Sequence, residues 1–419
     1  MSIKTFIEGF LSRKGGYVFF ASLAEKVAGF ILIIIATNLL HKDEFGLITY
    51  ANSILTFIMP FMGFGIHQGL IRYGAISDSH QQKKLFFNTT LKKGLLFSTL
   101  LIIVLLITSK WITVNLEKAW LYLILLSFQL ISLFLLEHVK IYARLINLNK
   151  LYSKISLANS IFLVLSSLIF TYFYEGKGYV LALVFVPLFV SVYFIFRLNL
   201  LSYNKKLVNN FKTAEILNYG LFTSIGSVLA QLLYVVDIIL IANILKNEAL
   251  VAQYKVSSVL PFSLVFLPLV FFTTDFVKLA RESKNNRVYI KNYYLNYLKV
   301  FGLISFLIPV LFYLFSDNLL AIFGKQYDYE NNLMFIFSFG IVGALLFRIP
   351  LGNILSAIGW PKINAIIAFI ILIINIISSY ILIHKLGIIG AAYTTAFLMW
   401  FSGLLSLVAF IIYLKKNED

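Results

Sequence analysis

Long apolar stretches separated by short polar turns recur along the whole chain. Twelve read as membrane spans: Gly16–Leu40, Phe45–Leu70, Phe86–Ile107, Ala119–Val139, Ser153–Tyr174, Tyr179–Leu201, Asn218–Leu245, Leu250–Phe276, Tyr293–Phe315, Asn332–Ile354, Ile363–Ile383 and Ile388–Leu414. Each is close to or above the roughly 20 residues a helix needs to cross a bilayer. No connection is long enough for a soluble domain. The pattern predicts an all-α integral membrane protein. The first span interrupts its own pattern, because Glu25 and Lys26 stand side by side in its middle. A charge at that depth is costly and usually faces a wet cavity or a partner. The expectation is a transporter, with helices gathered around a hydrated space.

Composition agrees. The 419 residues are 60% hydrophobic and 13% charged. A single soluble core stops growing at about 250–300 residues and would not hide that much apolar surface. The absence of cysteine excludes disulfides, thiol chemistry and Cys-ligated metal. The five histidines lack paired spacing, so no zinc site is expected. The first apolar run is too long for a cleavable signal peptide and many others follow it.

The net charge of +17 fits either a nucleic-acid partner or the positive-inside rule, and its distribution decides between them. Basic residues concentrate before the first span and after the even-numbered ones, as at Arg13, Lys83, Lys84, Lys154, Lys206, Arg281, Lys362 and Lys416. In the opposite turns, lysines such as Lys42, Lys118, Lys177 and Lys325 are balanced by Asp43, Glu44, Glu117, Glu175, Glu248, Asp317, Asp328 and Glu330. The positive excess faces one compartment, as the positive-inside rule predicts for a multi-pass chain with both termini in the cytoplasm. No nucleic-acid partner is expected.

The basic segment 202–213 divides the spans into two sets of six, an N-terminal bundle over 1–201 and a C-terminal bundle over 214–419. Six is even, so both halves enter the membrane in the same direction. A duplication would then be a parallel repeat about an axis along the membrane normal. A short similarity supports one: ATNLLHKDEFGLITY (Ala36–Tyr50) resembles IANILKNEALVAQY (Ile241–Tyr254), with Asn38 on Asn243 and Asp43 on Glu248. The prolines follow the same plan, with Pro60 in span 2 and Pro261 and Pro268 in span 8. Proline frees a backbone carbonyl and bends a helix, and transporters use broken helices near substrate. Pro187, Pro309 and Pro350 read as kinks without an assigned purpose.

Several stretches resemble a known family. These are ATNLLHKDEFGLITYANSIL, GFGIHQGLIRYGA with Arg72 and Tyr73, LLYVVDIILIANIL with Asp237, LLAIFGKQYDYENNLMFIF, LSAIGWPKINAI and LGIIGAAYTTAF. In order and spacing they are similar to the polysaccharide (O-antigen or capsule) flippases, Wzx type, of the multidrug/oligosaccharidyl-lipid/polysaccharide (MOP) exporter superfamily. The resemblance implies two six-helix bundles related by a pseudo-two-fold along the membrane normal around a central cavity. It also implies, as cargo and partner, an oligosaccharide linked to polyprenyl pyrophosphate. Other polysaccharide-assembly proteins are further candidate partners.

Such cargo sets chemical demands. A pyrophosphate does not cross hydrocarbon unpaired; it needs Lys or Arg, whose charge-assisted hydrogen bonds to phosphate are the strong ones. The candidates are Lys26, Lys255, Lys299, Arg348 and Arg72. The alternatives are a local pair for Lys26, snorkelling to the headgroups for Lys255 and Arg348, and a place near the inner surface for Lys299 and Arg72. Adjacent helical residues point about 100° apart, so Glu25 and Lys26 are each expected to meet another helix. Glu25 and Asp237 are the acids expected to couple transport to H+ or Na+, or else to hold the bundles together; no organic cofactor is expected. Glu137 is expected to pair with Lys140, and Asp275 with Lys278. Asn38, Asn52, Gln129, Asn159, Gln231, Asn243 and Asn375 either line the cavity or bind helix to helix. Competing readings are an ion-coupled multidrug or organic-cation exporter, which would want an acidic cavity, a flippase for the lipid-linked cell-wall precursor, and a membrane polysaccharide polymerase or ligase. The polymerases typically carry a large external loop, which this chain lacks. No phosphate-cradling Gly-rich loop appears, so transport is not expected to be ATP-driven.

Overall fold

The computed structural model describes residues 15–76, 79–146, 148–202, 213–283, 286–327 and 331–415. Every regular element among them is helical. The first are α1 (Gly15–Leu39), α2 (Lys42–Ile58), α3 (Ile66–Ile76), α4 (His80–Ile112), α5 (Ala119–Ser127), α6 (Gln129–Leu145) and α7 (Asn149–Arg197). Then follow α8 (Thr213–Leu245), α9 (Glu248–Ser263), α10 (Phe266–Glu282), α11 (Arg287–Ala321), α12 (Asn331–Gly343), α13 (Ile349–Ala357), α14 (Pro361–Leu386) and α15 (Ile388–Lys415). The pairs α2/α3, α5/α6, α9/α10 and α12/α13 each form one interrupted pass. Helix α7 is two passes joined at Glu175, whose backbone (φ 52°, ψ −138°) is not helical. The described helices therefore make twelve passes, as the hydrophobic pattern predicts.

Contacts divide the chain into two compact units, Met1–Gln231 and Leu232–Asp419, so the division falls inside α8. The expected linker, 202–213, lies almost wholly outside the described residues. The first unit is built on the packing of α7 against α1 and α6. Phe86, Phe87, Phe134, Tyr142 and Phe194 belong to its core. In the second, α15 packs against α12 and α14, and Phe272, Tyr297, Phe301, Leu351 and Phe410 belong to a core cluster. Large apolar side chains such as Trp111, Phe189, Phe306 and Tyr313 are exposed. In water this would be prohibitive, whereas lipid tails solvate such a surface at no penalty.

The breaks in the passes are satisfied locally, as they must be where water is scarce. Pass 2 opens at Met59–Gly65, where Gly63, Phe64 and Gly65 all have positive φ. Gly63 N donates to Ser98 Oγ at 2.9 Å, and the Pro60 carbonyl accepts from Ser224 Oγ at 2.6 Å. Pass 8 is likewise interrupted, between α9 and α10, three residues past Pro261. In pass 10 the helix widens to a π-turn at Ala344–Arg348, just before Pro350. Proline at 350 removes the donor for the carbonyl four residues back, and Tyr294 Oη supplies one to that Leu346 carbonyl at 3.1 Å. Tyr297 Oη does the same for Leu345 at 2.7 Å. Pro350 thus acquires a purpose that its place in the sequence does not reveal.

The suggested repeat has a local counterpart. Asn38 Nδ2 donates to the Ile34 carbonyl at 2.9 Å, and Asn243 Nδ2 to the Ile239 carbonyl at 2.7 Å. Both asparagines hydrogen-bond the last turns of the helix that precedes the interrupted pass.

Candidate functional site

Asp237 carries the most developed polar site of the second unit. It lies on α8, 3% exposed. Tyr254 Oη on α9 donates to its Oδ2 at 2.9 Å, and Ser379 Oγ on α14 donates to Oδ1 at 2.9 Å. Thr395 Oγ1 on α15 donates to Oδ2 as well. The Tyr254 and Thr395 hydroxyls lie 3.2 Å apart, and Ser379 Oγ is also 2.8 Å from Asn375 Oδ1. Four helices thus converge on one carboxylate. Among the described residues no Lys or Arg pairs with it.

Proton counting characterises this cage. Ser379 has one hydroxyl proton and two acceptors, Asp237 Oδ1 and Asn375 Oδ1. The Tyr254–Thr395–Oδ2 triangle has three contacts and two hydroxyl protons. Asn375 also hydrogen-bonds the carboxylate, so it is held by neutral groups alone among the described residues, and a carboxylate with no cation beside it is costly at this depth. The donor set is all oxygen, suited chemically to a proton or a hard monovalent cation.

The five expected phosphate-binding cations stand on five different helices. Lys255 follows Tyr254 on α9 and is partly buried. Arg348 ends the π-turn of pass 10 and is partly buried. Lys26 is exposed on α1, and Lys299 is exposed on α11. Among the described residues none of these four has an ion-pair partner. Arg72 belongs to α3, and its side chain lies outside the described residues, as does that of Lys278.

In the first unit, the second expected acid is already engaged. Glu25 Oε1 lies 3.0 Å from Lys140 Nζ, and Glu137 Oε1 lies 2.8 Å from the same nitrogen. Lys140 also sits 5.2 Å over the Tyr152 ring. The expected Glu137–Lys140 pair forms, and Glu25 meets another helix as expected; Lys26 has no ion-pair partner among the described residues. Asp275 accepts from Tyr293 Oη at 3.0 Å.

Several residues that the fold brings into polar clusters carry no signal in the sequence. Tyr254, Ser379 and Thr395 look like ordinary polar positions in apolar helices; of this cluster only Asp237 and Asn375 stand out. Glu44, one of several outer acids by its position, accepts from Tyr122 Oη at 2.5 Å and from Gly176 N at 3.1 Å. A Cβ at residue 176 would sit 2.3 Å from Glu44 Oε1. The Gly176 and Glu175 pair at a hairpin tip is the available signal.

The fold has counterparts among solved structures. The structure is similar, with a TM-score of 0.72 and 14% identity over 94% of this chain and 96% of that one, to a multidrug resistance MATE family transporter of the MOP superfamily in an inward-facing conformation. It is equally similar, TM-score 0.72 and 15% identity over 93% and 86% of the two chains, to the lipid II flippase MurJ in an inward closed conformation. A MOP superfamily transporter from Pyrococcus furiosus, described as having a binding pocket of reversed polarity, follows at TM-score 0.65 and 14% identity, over 96% of this chain and 95% of that one. Identities this low establish the fold alone. A sequence search among curated proteins finds no significant match. The family model for "Polysaccharide biosynthesis protein" matches residues 35–330, most of the chain. On that match the chain belongs to the polysaccharide biosynthesis protein family, and it is built on the twelve-helix fold of the MOP-superfamily transporters.

Proposed function

We propose that the protein flips a polyprenyl-pyrophosphate-linked oligosaccharide, an O-antigen or capsule repeat unit, from the cytoplasmic to the outer leaflet of the bacterial cytoplasmic membrane. The observation that carries this reading is the set of cations in the passes, Lys26, Lys255 and Arg348, that no described carboxylate neutralises. An ammonium or guanidinium in hydrocarbon wants an anion, and a pyrophosphate headgroup is an anion that needs escorting. The family's role in polysaccharide biosynthesis and the likeness to a flippase of a lipid-linked cargo support the same cargo class.

Asp237 is the coupling residue in this reading. Binding of a proton or sodium ion neutralises the carboxylate, and its release restores the charge, so the cation gradient biases the conformational cycle. Glu25, held by Lys140, takes the alternative role of fastening α1 to α6.

The test is flipping of a fluorescent polyprenyl-pyrophosphate glycan in proteoliposomes with imposed proton or sodium gradients. Flipping that is lost in Lys255→Ala or Arg348→Ala, at unchanged expression, supports the reading. The MATE likeness favours a second reading, export of organic cations; ethidium efflux with no glycan flipping would replace the first with it.

A further inference from the structure

Helix α11 has two unlike faces. Ile290, Tyr294, Tyr297, Phe301, Ser305 and Ile308 are buried against the second unit's core. The opposite face carries Asn292, Asn296 and Lys299, which line a groove of about 590 Å³ together with Leu295 and Leu298. Lys299 itself is exposed. The spacing of four and three residues sets the three polar side chains in one stripe. Further along the same helix the exposed residues become purely apolar: Leu303, Phe306, Leu307 and Val310.

The level of this groove in the bilayer is marked by its surroundings. Tyr289 and Tyr293 face each other at 6.4 Å, Trp360 packs edge-on to Tyr413 at 5.7 Å, and the Arg287 guanidinium lies 4.8 Å over the Tyr413 ring. These rings pack into the second unit's core at the N-terminal end of α11, and the charged Arg287 belongs to the aqueous end of that helix. Lys299 lies roughly 18 Å further along the helix axis from Arg287, and its stem is long enough to lift the ammonium back toward the asparagines. An exposed ammonium at that depth requires an anion, and no described side chain supplies one.

We propose that this groove binds an anionic glycerophospholipid of the bilayer. Lys299 meets the phosphodiester, the Asn292 and Asn296 amides meet the glycerol hydroxyls of the headgroup, and an acyl chain runs along Leu303, Phe306 and Val310. The charge of Lys299 complements the headgroup, and the polar-to-apolar change along one helix face matches the profile of a single lipid. The assignment separates Lys299 from the cargo-binding cations and does not depend on the flippase reading.

The test is native mass spectrometry of the purified full-length chain, titrated with phosphatidylglycerol or with phosphatidylcholine of the same acyl chains. The wild type should retain phosphatidylglycerol preferentially. Lys299→Gln should weaken that retention about fivefold, the value of one lysine beside an anionic lipid. Asn292→Leu with Asn296→Leu should weaken it as well. Lys385→Gln, an exposed lysine on another helix, should change nothing. Unchanged retention in Lys299→Gln, with the same melting temperature as wild type, would overturn the proposal. Competition by inorganic phosphate alone, or a Lys299-dependent preference for polyprenyl pyrophosphate over phosphatidylglycerol, would overturn it too.

Discussion

Ser379 Oγ lies 2.9 Å from Asp237 Oδ1, although the two residues are 142 positions apart in the chain. The same oxygen lies 2.8 Å from Asn375 Oδ1. Among the described residues the carboxylate is met by neutral hydroxyl and amide groups and by no cation, and that is its most informative property.

Asp237→Asn keeps the volume and replaces the ionisable carboxylate with a neutral amide. The variant should fold and insert normally, yet lose the dependence of transport on a proton or sodium gradient. Ser379→Ala and Thr395→Val, which remove ligands but keep the carboxylate, should weaken the dependence without abolishing it. Transport assayed in proteoliposomes under each gradient separately checks both statements. Gradient-dependent transport at wild-type level in Asp237→Asn would assign coupling elsewhere.

Lys140 is held by two carboxylates and is itself 5% exposed. Lys140→Met should destabilise the first unit, because it leaves Glu25 and Glu137 facing each other without a cation. Both glutamates are partly exposed, so the loss should be about 1–2 kcal/mol rather than the roughly 3–5 kcal/mol of a fully buried pair. Glu25→Gln alone should cost about 1 kcal/mol or less, since Glu137 remains. Thermal unfolding in detergent measures both.

Gly65 has φ +67°, and a Cβ there would stand 2.2 Å from Ser224 Oγ and 2.3 Å from the Gly220 carbonyl oxygen. Gly65→Ala meets both a strained backbone and a backbone neighbour that has no rotamer to yield. A loss of about 2 kcal/mol or more is expected, visible as a lower yield of monodisperse protein. Gly29→Ala, where a Cβ meets nothing, is the matched control and should be tolerated.

Tyr297→Phe removes the hydroxyl that serves the Leu345 carbonyl. The freed carbonyl then lies buried without a donor, at a cost of about 1 kcal/mol or more. Because that carbonyl is in the π-turn that ends at Arg348, the variant should also lower transport. Normal transport with a lowered melting temperature would show that the π-turn serves stability alone.

Much of this protein is legible in its sequence. Hydrophobic run length alone fixes twelve passes, because a helix must satisfy its own backbone to cross lipid. Pro60, Pro261 and Pro350 mark three of the interrupted passes, where a missing N–H weakens the helix, whereas Pro187 and Pro309 lie inside helices that continue through them. Asp237 stands out for the same kind of reason: a carboxylate in an apolar helix is costly wherever it points. What a single helix does not show is which partner each polar group finds. The chain sets Glu25 beside Lys26, and tertiary packing gives it Lys140 instead. Tyr254, Ser379 and Thr395 carry no local signature, because a hydroxyl can return to its own helix as easily as cross to another; only the convergence of α8, α9, α14 and α15 makes them ligands. Sequence determined where charge had to be accounted for, through the cost of burying it, and the tertiary structure decided with what, because the contacts that neutralise it join residues remote in the chain.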